Sequence, residues 1–318
     1  ARAFDISGLA RLSDADYAAL PPTRWPVPAA GAVPARFFAA GGFPGGRARM
    51  VPTPFRPPAQ APDADFPLRL ITGRLRDQWH MMTRTGAVPR LMAHTPEPCL
   101  TLHPEDAAGL MAGGPVVAGT PQGSTVLRLA IDAGQQRGTG FAPMHWTAQF
   151  APAARVNAAV NAATDPSSGQ PELKHTPLRV RPFPAAWHGF ALLPARPDPA
   201  LAAWCALIPL AGGAWRAELA GREDPARAFA RLRAAMAPPA ACWTVLEDAA
   251  AGLHRGALIA EGVLRAALFL GPDPALPPRA WLAGLLGTPL DAPTRRALLA
   301  GRAAEGPPPS PVVCVCHG

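Results

Sequence analysis

Proline and glycine interrupt this chain so often that little room is left for long regular elements. The 318 residues include 42 prolines and 30 glycines. Proline removes a backbone donor and ends helices, whereas glycine favours turns. The apolar runs between them are short, as in Phe66-Pro67-Leu68-Arg69-Leu70-Ile71, although a hydrophobic content of 49% suffices for a globular core. The sequence therefore favours short strands and turns over a helical bundle.

The strand signals are clearest between residues 66 and 183. Apolar runs bounded by glycine and proline predict six strands, at 67–72, 98–103, 115–120, 124–131, 139–144 and 177–181. Pro104-Glu105-Asp106-Ala107-Ala108-Gly109-Leu110 predicts one short helix, because proline stands in its first turn and acids near its N-terminus. Many short strands with one small helix predict a mainly β fold built on a compact barrel.

The length suggests about two domains. Residues 1–65 are expected to be a peripheral segment from the end of a preceding domain, with a short helix from Asp14 and short strands at 36–38 and 47–51. Residues 187–301 predict an accessory α+β module, and 302–318 a linker followed by a cysteine-containing tail. The module's predicted elements are strands at 204–208 and 265–270, helices at 223–236 and 293–301, and a hairpin of 242–246 with 256–259.

Charge and motif patterns exclude several classes of function. The net charge of +8 is almost all arginine, since Lys174 is the sole lysine, and no aromatic-interleaved basic stripe or zinc-finger spacing predicts a nucleic-acid partner. No apolar run reaches the roughly 18 residues of a membrane span. Five cysteines at irregular spacing favour a reducing, cytoplasmic setting over a disulfide framework. We find no zinc-protease, serine-hydrolase, Walker or Rossmann pattern.

The segment from Thr72 to Thr85 carries the strongest functional signal. It follows a strand-like run and places three arginines, Arg74, Arg76 and Arg84, near an aromatic side chain, Trp79. Arginine offers a planar donor set suited to phosphate. Gly73 would let a ligand approach the main chain, Gln78 and His80 could bond to ring edges, and Asp77 would orient the arginines. A solvated basic loop is the alternative.

The order of these residues resembles a known family. T-G-R, W-H and T-R-T occur as in the C-terminal domain of molybdopterin-dinucleotide oxidoreductases, and more narrowly as in bacterial assimilatory nitrate reductases. Further matching segments are Pro143-Met144-His145-Trp146, Arg155-Val156-Asn157, Thr164-Asp165-Pro166 and Gly169–Pro177. The resemblance is good from about Phe37 to Val180, weaker over Trp187 to Gly301, and resumes at Cys314-Val315-Cys316.

This resemblance implies a double-psi β-barrel that binds molybdopterin guanine dinucleotide with molybdenum, in an enzyme that reduces nitrate to nitrite. No catalytic residue is expected in this portion. The implied cofactor-binding residues are Thr72, Gly73, Arg74, Asp77, Gln78, Trp79, His80, Met81, Thr83, Arg84, His145, Trp146, Asn157 and Lys174. Met81 departs from the small polar residue more usual there. Asn157 could instead be a turn or cap residue, and Trp146 a core residue.

The resemblance also implies further groups and partners. Cys314 and Cys316 would be half of the ligand set of a terminal [2Fe-2S] cluster, whose second cysteine pair is absent from this sequence. The complete protein would also carry a [4Fe-4S] cluster. It would take electrons from a ferredoxin, a flavodoxin or an NADH-dependent reductase subunit. A formate dehydrogenase of the same superfamily and a non-catalytic nucleotide-binding module remain alternatives.

Overall fold

A computed structural model of the chain describes residues 5–30, 43, 45–237 and 241–302. The chain divides after Pro57 into two compact units. In the first, Ser13 accepts a hydrogen bond from the Asp16 amide and begins helix α1 (Asp14–Ala18), as predicted, after a 3₁₀ turn at Leu9–Arg11. The strand predicted at 47–51 is wrong: these residues form a turn and irregular chain, without a partner strand among the described residues. The strand predicted at 36–38 lies outside the described residues.

The second unit begins with a closed barrel of six strands. They are β1 (Leu68–Gly73), β2 (Cys99–Leu102), β3 (Pro115–Thr120), β4 (Gly123–Ile131), β5 (Thr139–Pro143) and β6 (Thr176–Pro182). Their order around the barrel is β1-β5-β2-β4-β3-β6. Two pairs are parallel, β1 with β5 and β2 with β4, and the others are antiparallel. The predicted mainly β class and six-stranded barrel are confirmed, and the mixed pairing agrees with a double-psi topology.

The short helix predicted at Pro104–Leu110 is wrong. The segment is a run of turns, in which the Asp106 and Ala107 amides both donate to the His103 carbonyl at 3.0 Å. Gly109 then takes a left-handed conformation (φ +78°), which ends any helical continuation. The helices close to the barrel are instead α2 (Pro89–Met92) and the 3₁₀ turns Thr85–Ala87, Pro152–Ala154 and Val156–Ala159.

A six-stranded antiparallel sheet follows the barrel. Its strands are β7 (Trp187–Leu193), β8 (Trp204–Pro209), β9 (Trp215–Gly221), β10 (Trp243–Asp248), β11 (Leu253–Ala260) and β12 (Val263–Gly271), in the order β10-β11-β12-β7-β9-β8. Helix α3 (Pro225–Met236) packs on one face, while α4 (Arg279–Leu285) and α5 (Ala292–Ala300) pack on the other. The predicted strands, hairpin and helices of the α+β module are present. Strands β7 and β9 and helix α4 were not predicted.

The barrel and the second sheet are in contact. Trp204 of β8 is fully buried in the same hydrophobic cluster as the barrel core, and its indole N–H donates to the Val126 carbonyl at 3.1 Å. Beside it, Arg128 of β4 pairs with Glu218 of β9 at 3.1 Å. Among the described residues no helix has both the length and the hydrophobicity needed to cross a membrane.

Candidate functional site

The end of strand β1 is tied to the loop that precedes β6. The Thr72 hydroxyl donates to the Leu173 carbonyl at 2.8 Å, and the Thr72 amide contacts the same oxygen at 3.3 Å. The Lys174 ammonium donates to the Thr72 carbonyl. Asp165 accepts hydrogen bonds from the Ser167 and Ser168 amides and so forms the turn that returns the chain toward β1. Thr72 and Lys174, far apart in sequence, are therefore neighbours in the fold.

Gly73 has a packing role that the sequence analysis did not foresee. A side chain at this position would place its Cβ 2.5 Å from the ring of Phe141 on the neighbouring strand β5. The space on the Cβ side of Gly73 is thus filled by a phenyl ring, and the approach of a ligand to its main chain stays a prediction. Glycine is needed here so that β1 and β5 can lie side by side with Phe141 across them.

Replacing Gly73 with alanine should lower the free energy of unfolding by about 1–3 kcal/mol, because the added methyl overpacks the barrel. Chemical denaturation of the two proteins would measure this. Gly119→Ala is the matched control, since its new Cβ would meet nothing closer than the Arg179 carbonyl at 3.7 Å. Its stability should be unchanged or slightly higher. An equal loss in both variants would show that Phe141 is not the cause.

Residues 72–84 are called here the TGR segment. The segment begins with the last two residues of β1, leaves the barrel and forms one side of the candidate site. Its one acidic residue, Asp77, accepts from the Arg76 guanidinium at 2.8 Å and contacts His94 Nδ1 at 2.6 Å. These bonds, with Arg76 first and His94 second, lower the pKa of Asp77 to about 2. The prediction that Asp77 orients an arginine is consistent with this contact, and its role toward a cofactor stays a prediction.

Gln78 points into the protein. It is 6% exposed, its amide nitrogen contacts the Met92 sulfur at 3.2 Å, and its amide oxygen accepts from the Thr85 hydroxyl at 2.7 Å. The sequence analysis expected this amide to reach the ring edges of a ligand. In the structure both ends of the amide are used within the chain, and any contact with a ligand stays a prediction.

The middle of the TGR segment is exposed at the protein surface. Trp79 and Met81 are 54% and 59% exposed, and the His80 ring stands edge-on to Trp79 with 4.5 Å between centroids. Arg74, Thr83 and Arg84 are also exposed. His80 and Met82 both have left-handed backbones, with φ of +44° and +59°. Such conformations are strained for these residue types and cluster at functional sites.

His145 lies beneath these exposed side chains and is itself buried. The residue is fully buried, its Nε2 accepts from the Leu75 amide at 2.8 Å, and its Nδ1 is 2.6 Å from the His80 carbonyl oxygen. The pKa of His145 is lowered, first by burial and then by electrostatic interaction with Arg74 and the His80 ring, against the opposing bond to the His80 carbonyl. The resemblance implied that His145 binds the cofactor. Its direct contacts are with the backbone of the TGR segment, and any contact with a cofactor stays a prediction.

A cleft of about 390 Å³ opens beside the TGR segment. We call it the Trp146 cleft, and its lining residues are Met81, Met144, Trp146, Thr147, Ala148, Arg155, Asn157 and Ala158. Trp146 is 3% exposed, and its indole nitrogen has no hydrogen-bond partner among the described residues. Asn157 and Arg155 are exposed at the cleft. The cleft thus combines an aromatic side chain with a guanidinium and an amide, which suits a heteroaromatic, anionic ligand.

The fold brings Met81, Trp146 and Asn157 together at the cleft, and Thr72, Gly73 and Lys174 together at the end of β1. Cys314 and Cys316 lie outside the described residues. Within the described part of the chain, no three histidine, cysteine or acidic side chains are grouped as a metal site.

Arg155 was missed as a site residue, although its segment was noted. Val156 is buried between exposed Arg155 and exposed Asn157. That alternation, with a basic residue two positions before the predicted Asn157, is the signal that could have pointed to it. Met144 was missed as well, because nothing in its local sequence distinguishes a cleft-lining methionine from a core one.

The barrel sequence matches a known protein family. Residues 68–177 match the family described as "Molydopterin dinucleotide binding domain". The match extends from β1 to the start of β6 of the barrel. The matched range contains the whole TGR segment, the residues that line the Trp146 cleft, and Lys174.

Two curated relatives are nitrate reductases. The protein from Klebsiella oxytoca is 47% identical over 190 residues, which cover 59% of this chain and 22% of the relative. The protein from Shewanella frigidimarina (strain NCIMB 400) is 36% identical over 215 residues, covering 59% of this chain and 23% of the relative. The chain therefore spans about a fifth of the length of these relatives. Among solved structures, acetylene hydratase from Pelobacter acetylenicus is 21% identical to this chain. The match covers 37% of this chain and 19% of the hydratase chain, with a TM-score of 0.33.

Proposed function

We propose that this chain binds molybdopterin guanine dinucleotide as part of a nitrate reductase. The observation that carries the proposal is the meeting of Trp146, Arg155 and Asn157 with Met81 of the TGR segment at one cleft, on a barrel of the dinucleotide-binding family. The hydrogen-bonding side chains of this cleft fit such a cofactor. Asn157 offers both a donor and an acceptor to a purine or pterin edge, and Arg155 offers a planar fork to phosphate.

The other exposed side chains of the TGR segment extend this surface. Arg74 and Arg84 are positioned to neutralise phosphate charge, and Trp79 offers an aromatic face to a ring system. Lys174 joins the surface through its bond to the Thr72 carbonyl. When bound, the molybdenum cofactor would supply the oxygen-transfer and two-electron chemistry of nitrate reduction. The residues of this chain would hold and orient the dinucleotide, exclude water from it and leave the reacting atoms to other parts of the protein.

The finer parts of the proposal concern the complete protein. Nitrate would be the substrate, and a ferredoxin, flavodoxin or NADH-dependent subunit the electron donor, in the cytoplasm. Cys314 and Cys316 would supply two ligands of a [2Fe-2S] cluster, with a [4Fe-4S] cluster elsewhere. Support comes from the naming of both relatives as nitrate reductases and from the close spacing of the two cysteines, since Fe–S clusters are held by cysteine thiolates.

Replacing Arg155 with methionine should speed the loss of bound nucleotide about 10–100-fold, since a charge-assisted hydrogen bond contributes about 1.5–3 kcal/mol. The enzyme containing this chain would be made in a molybdenum-replete host. Guanine nucleotide and molybdenum per protein would then be followed during dialysis. Arg74→Met should act in the same direction.

Arg227→Met is the control, because Arg227 is an exposed arginine on helix α3 of the second sheet. It should retain nucleotide like the unaltered protein. Retention in the Arg155 and Arg74 variants at the control level would refute the proposed surface. Nucleotide without molybdenum would favour the non-catalytic module, and formate-dependent rather than nitrate-dependent turnover would favour the formate dehydrogenase.

A further inference from the structure

Both ring nitrogens of His145 bond to the backbone of the TGR segment. Leu75 N–H is a donor only, so Nε2 must carry a lone pair; the His80 carbonyl is an acceptor only, so Nδ1 must carry the proton. The distances are 2.8 Å and 2.6 Å. A single neutral tautomer therefore satisfies both bonds, and the imidazole, which is fully buried, has no free position left.

The two bonds bracket a short stretch of the segment in which Arg76 and Trp79 are exposed and Gln78 is buried. Leu75 and His80 stand at either end of residues 76–79, and His145 is 70 residues from Leu75 in sequence. The bond to the His80 carbonyl holds the peptide that follows His80, whose backbone is left-handed at φ +44°. That peptide leads directly to Met81, which lines the Trp146 cleft. Through its two backbone bonds, the imidazole thus links the end of β1 to the stretch that carries Trp79 and to Met81 at the wall of the Trp146 cleft.

We infer that His145 is a positioning residue that keeps the TGR segment in its ligand-contacting shape only while its imidazole is neutral. Retention of a ligand in the cleft therefore depends on pH. The inference rests on the proposed function for the identity of that ligand. The positioning itself concerns atoms of this chain alone and can be measured without a ligand.

Protonation breaks the arrangement for a geometric reason. A proton on Nε2 would face the Leu75 amide, so two donors would oppose each other at a 2.8 Å separation. The charged or titratable groups acting on the ring are Arg74, at the end of β1, and His80, in the segment itself. Burial is the larger cause, and electrostatic interaction with these two groups adds to it, so the pKa of His145 lies below its usual value of about 6.5.

The sign of the pH effect follows from that direction. A histidine whose folded pKa is lowered takes up its proton more readily when the segment is released. The ordered segment is therefore fully stable above about pH 6.5 and loses stability as the pH falls below that value. Ligand retention should follow the same course, high at neutral pH and falling in acid.

Amide hydrogen exchange at Leu75, measured on the whole chain between pH 5.5 and 8, tests the inference without any substitution. After correction for intrinsic rates, protection at Leu75 should fall as the pH is lowered through about 6.5. His145→Leu should accelerate Leu75 exchange about ten-fold or more and abolish the pH dependence of its protection. His145→Gln can still accept a hydrogen bond from the Leu75 amide, whereas His145→Asn can still donate one toward the His80 carbonyl. The glutamine variant should therefore retain more protection of the Leu75 amide than the asparagine variant.

His188→Gln is the control, because His188 is another buried histidine with a lowered pKa, caused first by burial and then by Arg128, on strand β7. It should leave the pH dependence at Leu75 intact. Protection at Leu75 that is independent of pH in the unaltered chain, or unchanged in His145→Leu, would overturn the inference. Absence of bound nucleotide would instead contradict the proposed function and leave the Leu75 measurement valid.

Discussion

Replacing Glu218 with glutamine is expected to lower the free energy of unfolding by about 3–5 kcal/mol, the range found when one partner of a buried ion pair is removed. The Glu218 side chain is 1% exposed and lies 3.1 Å from each of three guanidiniums, those of Arg128, Arg216 and Arg279. Without its charge, Arg128 and Arg216 would keep Glu97 as an ion-pair partner, whereas Arg279 would keep no carboxylate partner among the described residues. Urea denaturation followed by circular dichroism would measure the loss.

Glu223→Gln provides the comparison, since Glu223 pairs with Arg231 at the surface, with 41% of its side chain exposed. Exposed pairs contribute about 0–1 kcal/mol, so this variant should remain close to the unaltered protein. A second readout is specific to the buried group. Burial, followed by the Glu218 carboxylate, raises the pKa of Glu97, and the Glu218 variant should therefore bring that pKa down. Similar stability losses in both variants would contradict a special role for the buried cluster.

Replacing Trp204 with alanine should also cost about 3–5 kcal/mol, as for other fully buried tryptophans. Trp204 is 0% exposed, bonds to the Val126 carbonyl and lies under the Arg128 guanidinium, 4.8 Å from its ring centroid. Trp204→Phe keeps the apolar ring but leaves the Val126 carbonyl without that donor, so its loss should be smaller, about 1–3 kcal/mol. Thermal unfolding of these variants would rank them.

The Trp204 variants also test the predicted division into domains at 66–183 and 187–301, which stays a prediction. Because Trp204 joins β8 to the barrel core, amides in β4 and β9 should both lose protection when it is truncated. Trp79→Ala serves as the control, since Trp79 is 54% exposed and its removal should change stability little. Loss of protection in only one of the two strands would favour two independent domains.

Much of the barrel could be predicted because its signals are local. Each of the six predicted strands overlaps an observed one, since short apolar runs bounded by proline or glycine mark where pairing begins and ends. The helix predicted at Pro104–Leu110 was wrong because Gly109 can adopt the left-handed conformation that turns the chain instead. Strand β7 was missed because His188 and Gly189 interrupt its apolar run, whereas the equally buried β8 has an unbroken apolar run from Trp204 to Ile208.

The local chemistry of this protein follows directly from its amino-acid order: the short strands, the turns, and the clustering of arginines, aromatic rings and a glycine in the TGR segment. Which of these residues meet depends on the tertiary fold. Lys174 bonds to Thr72 across 102 positions, His145 to Leu75 across 70, and Arg128 to Glu218 across 90. Such contacts depend on barrel closure and sheet packing, which no local pattern specifies. This is why the packing of Gly73 against Phe141 and the burial of His145 beneath the TGR segment could not be predicted from the sequence.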